Sequence, residues 1–255
     1  MKKAEDLVKD VFEQSYVDVA IFNPQYLGDF YHSGFSNLRR NEAFRQQHPD
    51  RIIANGFWDP RNGEGGLEQL ERDAKTYNWK GLKLYTAEWK GNSKGWKLTD
   101  PWAYRYLEKS QQRGIKNIHV HKGPTIRPLN MDAFGVQDID EAATEFPDLN
   151  FIVEHVGMPR VEEFCFIAAQ EPNVYAGLAV VDATIHLRPR YFGEILGELL
   201  FWLGADRILY GSDYAIWSPK WIVEEFMNFE LPEDVAARGC CQEGLPRRLS
   251  GRNRR

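Results

Sequence analysis

Three side chains with metal-binding chemistry stand at the ends of short apolar runs in this sequence. His121 closes NIHVH, His155 closes FIVEH, and Asp213 follows RILYG within Gly211-Ser212-Asp213-Tyr214. Two imidazoles and one carboxylate suit zinc, manganese or iron. An ion held by such a set lowers the pKa of its water toward about 7 and polarises a carbonyl. The three lie tens of residues apart, so only a fold that gathers strand ends can bring them together. His119 precedes His121 by two residues and shares its face of an extended strand. It reads as a hydrogen-bonded structural residue one layer deeper, with a ligand role as the alternative.

Other side chains at the ends of such runs could hold a substrate. Lys83 and Tyr85 share a face at the end of KGLKLY. An inward-pointing ammonium is costly unless partnered, and it suits a carboxylate-bearing substrate. Asn23 and Trp58 end two further runs and are candidate substrate contacts, while Lys122 and Arg127 follow the histidine strand. Trp58, Trp89, Trp96 and Trp217 fall in or near the same loops, as an aromatic-lined pocket would require. His32 and His186 lie in loops where substrate contact is open, and His48 in QQHPD reads as a surface residue.

The elements that position these residues follow from hydrophobic patterning. Strand-like runs occur at 17–22, 51–57, 80–85, 115–121, 150–155, 174–180 and 207–211. They are mostly rich in Val, Ile and Leu, as parallel strands buried on both faces should be. Helix candidates lie at 4–13, 66–76, 100–113, 138–145 and 188–203, the third opening on Asp100-Pro101, a cap followed by a first-turn proline, and the fourth carrying small and acidic residues before Pro147. Strand–helix alternation of this kind means βαβ units and a parallel sheet. In a (β/α)8 barrel the active site sits at the C-terminal strand ends, where the candidates above lie.

Length and composition are consistent with one such domain. The chain has 255 residues, with 43% hydrophobic and 27% charged, which argues against disorder. The charge is −5, from 32 basic and 37 acidic residues, which gives no electrostatic case for nucleic acid. No apolar run is long enough to span a bilayer, and the charged start has no secretory core. Cys165, Cys240 and Cys241 form neither a disulfide framework nor a C-x-x-C zinc site, so a reduced, cytoplasmic compartment is expected. We expect one barrel domain over 1–236. Residues 237–255 carry six arginines and one acid, and read as a basic, solvated, disordered tail.

Several segments together resemble a known family. Gly81-Leu82-Lys83-Leu84, His121-Lys122-Gly123-Pro124, Phe146-Pro147-Asp148-Leu149, Glu154-His155-Val156-Gly157 and Leu209-Tyr210-Gly211-Ser212-Asp213-Tyr214 match in order and spacing. The chain thereby resembles the amidohydrolase-related family, in the branch that includes aminocarboxymuconate semialdehyde decarboxylase. The resemblance implies an α/β fold of the (β/α)8 TIM-barrel type. It implies a divalent metal, Zn2+ first and Mn2+ second, on His121, His155 and Asp213, with Asp213 also transferring the proton. It also implies a metal-dependent hydrolase, or a carbon–carbon lyase such as a decarboxylase, acting on a small carbonyl or carboxylate compound. Lys83 falls in the family's Gly-x-Lys segment. Nothing before residue 17 matches the family's first strand, with its His-x-His or Glu-x-His ligands, and the match fades after about residue 234. The expectation is thus a barrel lacking strand 1 and the C-terminal helix. The alternative is a catalytically impaired or inactive truncated homologue. A small molecule is the expected partner, and the homodimer common in the family is open.

Overall fold

The computed structural model describes residues 4–25, 27–28, 31–32, 36–125 and 129–239. They form two compact units. One comprises Asp18–Tyr175; the other comprises Met1–Val17 with Ala176–Arg255.

The first unit is a series of parallel strands joined through helices. β1 (Ala20–Phe22) pairs with β2 (Ile52–Ala54), with Ile21 opposite Ile53. A parallel bridge from Gly56 to Leu82 carries the pairing onward to β3 (Gly81–Leu84). β3 pairs with β4 (Asn117–His121), which pairs with β5 (Asn150–Glu154). Beyond β5, the Phe151 N–H donates to the Asn173 carbonyl at the approach to β6 (Val174–Gly177). All seven expected strands form, each shorter than the apolar run that announced it. Parallel strands need crossovers, and helices Leu38–Gln47, Gly63–Tyr77, Pro101–Gln112, Gln137–Glu145 and Val161–Gln170 supply them.

Local chemistry explains where these helices begin and end. The Asn37 side chain accepts from the Arg39 and Arg40 N–H groups and so opens Leu38–Gln47. Pro101 starts its helix at a position that has no N–H to satisfy. Asn78 closes Gly63–Tyr77 in the left-handed conformation. The core beneath is apolar. Leu82, Leu84, Ile118, Val120, Phe151 and Val153 from the strands are fully buried, as are Leu107, Ile139 and Phe164 from the helices. Each such side chain contributes about 1.5–3 kcal/mol when withdrawn from water.

In the second unit, Ala176 and Gly177 of β6 pair with Ile208 and Leu209 of β7 (Ile208–Leu209). Helix Pro189–Leu203 buries an apolar face in it, through Phe192, Leu196 and Leu199. Gly193 and Gly197 on that helix admit Pro232 and Val235, which a Cβ at either position would strike. The N-terminal segment is helical from Ala4 to Glu13, its last turn wide. Helix Glu233–Gly239 takes in residues 237–239 of the expected tail; residues 240–255 lie outside the described residues. Among the described residues, no helix is long and apolar enough to cross a membrane.

Candidate functional site

The adjacent pairing of β4 and β5 sets two histidines against each other. His121 ends β4, and His155 follows β5 directly. His155 Nε2 lies 3.0 Å from His121 Nδ1, with the ring centroids 4.4 Å apart. His121 Nε2 lies 3.0 Å from the Pro124 carbonyl. A carbonyl only accepts, so His121 carries its proton on Nε2 and turns the lone pair on Nδ1 toward His155. His155 Nε2–H then donates. Both rings are buried. The pKa of His121 is held well below its usual value, chiefly by burial, then by His155 and Lys83, against the Pro124 carbonyl. It is therefore a neutral imidazole at physiological pH.

The backbone at this point is strained. His155 has φ +67° and Val156 φ +46°. A β-branched residue in the left-handed region is an outlier, costing about 1–3 kcal/mol, and such strain clusters at functional sites. Gly123 makes room for the pair: a Cβ there would lie 2.4 Å from His155 Cβ.

Around the pair lie charge and aromatic surface. Lys83, almost fully buried, stands opposite His119 in the β3–β4 register. His119 Nδ1 donates to Glu154 Oε1 at 2.7 Å, as the structural reading of that histidine requires. Burial alone would raise the pKa of Glu154, but Lys83 and then His119 outweigh it and hold it at about 2. The Tyr85 ring lies 4.2 Å from His121 and that of Phe134 4.8 Å, and these two meet edge-on at 5.5 Å. Leu27, Ala87 and Leu129 continue this apolar wall. Lys122, next in sequence to His121, is buried with its Nζ 2.7 Å from Asp138 Oδ1.

The sequence candidates thus divide. His121, His155, Lys83 and Tyr85 come together. Asn23 accepts a hydrogen bond from Asn55 Nδ2 at 2.8 Å. Trp58 is buried against Trp96 and Tyr106, with centroids 5.3 and 5.1 Å away. His32 and His186 are exposed, and His48 packs on Phe44. Arg127 lies outside the described residues. Asp213 belongs to the second unit, where it is partly exposed at φ +50°. Its neighbour there is Asp182, fully buried, with neither carboxylate oxygen in a full hydrogen bond. Burial, reinforced by Asp213, pushes Asp182 up to about 8 despite the Gly211 and Ala183 N–H groups.

Sequence reasoning missed Glu154, Phe134, Asp138 and Asp182. For Glu154 and Asp182 a signal exists, since each is a lone acid inside an apolar run (FIVEH and AVVDA). Among the described residues, no group of three or more His, Cys, Asp or Glu side chains gathers as a metal cage.

The sequence profile of the amidohydrolase family matches residues 1–244. The chain belongs to the amidohydrolase family. No curated protein matches it. Among solved structures, this amidohydrolase resembles an uncharacterized TIM-barrel protein from Bordetella bronchiseptica. There the TM-score is 0.71 at 16% identity, covering 91% of this chain and 78% of the other. It also resembles 2,6-dihydroxybenzoate decarboxylase from Rhizobium, with TM-score 0.62, 15% identity and coverage of 92% and 84%. A third is a manganese-bound 5-carboxyvanillate decarboxylase from Novosphingobium aromaticivorans, with TM-score 0.60, 14% identity and coverage of 90% and 76%. At these identities the likeness shows the fold, and the fold is the expected TIM barrel.

Proposed function

We propose that this amidohydrolase is a metal-dependent decarboxylase of a small aromatic carboxylate. Hydrolysis of a small carbonyl compound is the second reading. The observation that carries the proposal is the pair of buried, facing imidazoles, with a buried lysine and an aromatic wall beside them. The donor chemistry fits a divalent ion. His121 is neutral, its Nε2–H is fixed by the Pro124 carbonyl, and a carbonyl partner of this kind orients metal-binding histidines generally. His121 and His155 would hold the ion, with Asp213 added on the strength of the sequence resemblance. Zn2+ and Mn2+ both suit imidazole and carboxylate donors, and manganese is bound in two of the decarboxylase relatives. When bound, the ion supplies Lewis-acid polarisation of a substrate oxygen.

The chain's own residues account for the rest. The Lys83 ammonium, withdrawn from water, favours a carboxylate over a neutral group. Tyr85 and Phe134 provide the face on which a planar ring packs. When the carbon–carboxylate bond breaks and CO2 leaves, the electron pair remains on the ring carbon and takes a proton. Asp213 is the residue we assign to deliver it. The relatives named as decarboxylases act on aromatic acids, which supports this substrate class. We place the enzyme in the cytoplasm, acting on a free small molecule, as a homodimer.

The test is to incubate purified protein with Mn2+ or Zn2+ and carboxyl-labelled hydroxybenzoates, and in parallel with simple esters, lactones and amides. Labelled CO2, lost in His121→Ala, is the expected result. Hydrolysis without CO2 would replace the proposal by the second reading. Turnover of neither class by metal-loaded protein would overturn both.

A further inference from the structure

The buried ion pair beside the two histidines has no part in the chemistry above. Lys122 is 1% exposed, and its partner Asp138 lies in the first turn of helix Gln137–Glu145. The second oxygen of Asp138 accepts from the Leu98 N–H at 2.8 Å, which pins the carboxylate. The Lys122 backbone N–H reaches the Glu154 carbonyl at 3.3 Å, tying the end of β4 to the end of β5. Either side of Lys122 stand the atoms that fix the histidines. Before it is His121. After it come Gly123, packed against His155, and Pro124, whose carbonyl takes the His121 Nε2–H.

We infer that Lys122 and Asp138 are positioning residues, clamping the segment from His121 to Pro124 so that His121 is held in one tautomer with Nδ1 turned toward His155. A four-residue segment at a strand end leaves the Pro124 carbonyl free to swing unless something anchors the segment from behind. Tyr85 and Phe134 hold the His121 ring itself. The lysine side chain ends on a carboxylate that is itself bonded to the Leu98 backbone, and so ties the segment to a second, separate stretch of chain. Carbonyl partners of ligand histidines set the tautomer and the donor strength, and losing such a partner typically weakens metal binding by about 10–100-fold. The clamp lies one step further out, so about tenfold is the expected loss.

The inference rests on the reading of His121 and His155 as the site, and the experiment separates the two. Protein labelled with 15N in its histidine rings is examined without metal by long-range 1H–15N correlation. Wild type should show His121 as a single Nε2–H tautomer. The double variant Lys122→Met/Asp138→Asn leaves no charge stranded and keeps an acceptor for Leu98. It should show His121 averaged between tautomers and bind Mn2+ about tenfold more weakly in chelator competition. Leu107→Ala, in helix Pro101–Gln112, lowers stability without touching the clamp and should leave the ring signals sharp. If the double variant is unfolded by circular dichroism, the same signals are read in Asp138→Asn alone. An unchanged His121 tautomer in a folded clamp variant overturns the inference, as does equal averaging in Leu107→Ala. Failure of wild type to bind Mn2+ or Zn2+, with the tautomer response intact, would instead sink the metal-site reading and leave the clamp standing.

Discussion

Replacing Gly123 by alanine is the smallest change that should disable the histidine pair. The added Cβ would lie 2.4 Å from His155 Cβ, 3.0 Å from Cγ and 3.2 Å from Cδ2. Carbon atoms rest at about 3.5–4.0 Å, so the imidazole must retreat by about 1 Å. Gly123 is not in the left-handed region, so alanine meets no backbone penalty and the effect is purely steric. A retreat of that size carries the 3.0 Å contact between His155 and His121 beyond hydrogen-bond range. Overpacking costs about 1–3 kcal/mol, and leaving a buried N–H unpaired costs about 1–3 kcal/mol. One displacement causes both, so about 2–6 kcal/mol is the expected loss, a large share of the usual 5–15 kcal/mol. A misplacement of about 1 Å at a reacting centre also costs about 100-fold in rate. Urea unfolding of wild type and variant measures the first quantity, and Mn2+ affinity with turnover measures the second. An unfolding midpoint equal to that of wild type, with unchanged metal affinity, would refute the steric argument.

Other expectations follow from the same geometry. Gly65→Ala, in helix Gly63–Tyr77 with nothing within 4 Å of the new Cβ, should stabilise the protein by about 0.5–1 kcal/mol in the same unfolding experiment; a loss would contradict it. Glu154, held at about 2 against its ordinary 4.5, contributes stability that is fully present above about pH 4.5 and disappears as pH falls toward 2. Its contribution is on the order of 3 kcal/mol, and Glu154→Gln should flatten that acid limb in urea titrations between pH 2 and 6. Asp182 works in the opposite sense. Its folded pKa of about 8 lies above its ordinary 3.8, so its contribution is present below about pH 4 and is lost as pH rises through 8. Thermal melts from pH 4 to 9 should therefore show a downward slope that Asp182→Asn removes, and identical slopes in the two proteins would count against a neutral carboxyl.

How much of this was legible in the sequence depends on what each residue interacts with. The strands were legible because Val, Ile and Leu in short runs have few other uses, but their ends were not. The run through FIVEH, for example, stops at Glu154 because His155 turns to positive φ. Helix Leu38–Gln47 was missed because LRRNEAFRQQ has no apolar stripe, and the Asn37 cap does more to define it than burial does. His121 and His155 were legible as candidates from their places at the ends of apolar runs, and Lys83 and Tyr85 from strand parity as well. Phe134 was not, since it reaches His121 from the short turn Met131–Phe134, and no period links a turn to a strand end. Asp138 read only as a helix-start acid; its partnership with Lys122 is a tertiary fact. Family membership came from the order of several motifs, which single residues could not supply.

The account centres on His121 and His155 as the metal-binding pair of this amidohydrolase. The most direct test is metal content after equilibrium dialysis against Mn2+ and Zn2+, compared among wild type, His121→Ala, His155→Ala and Trp58→Phe. The account predicts bound metal in wild type and Trp58→Phe, and its loss in both histidine variants while they remain folded. Equal metal content in all four proteins, or none in wild type, would contradict it.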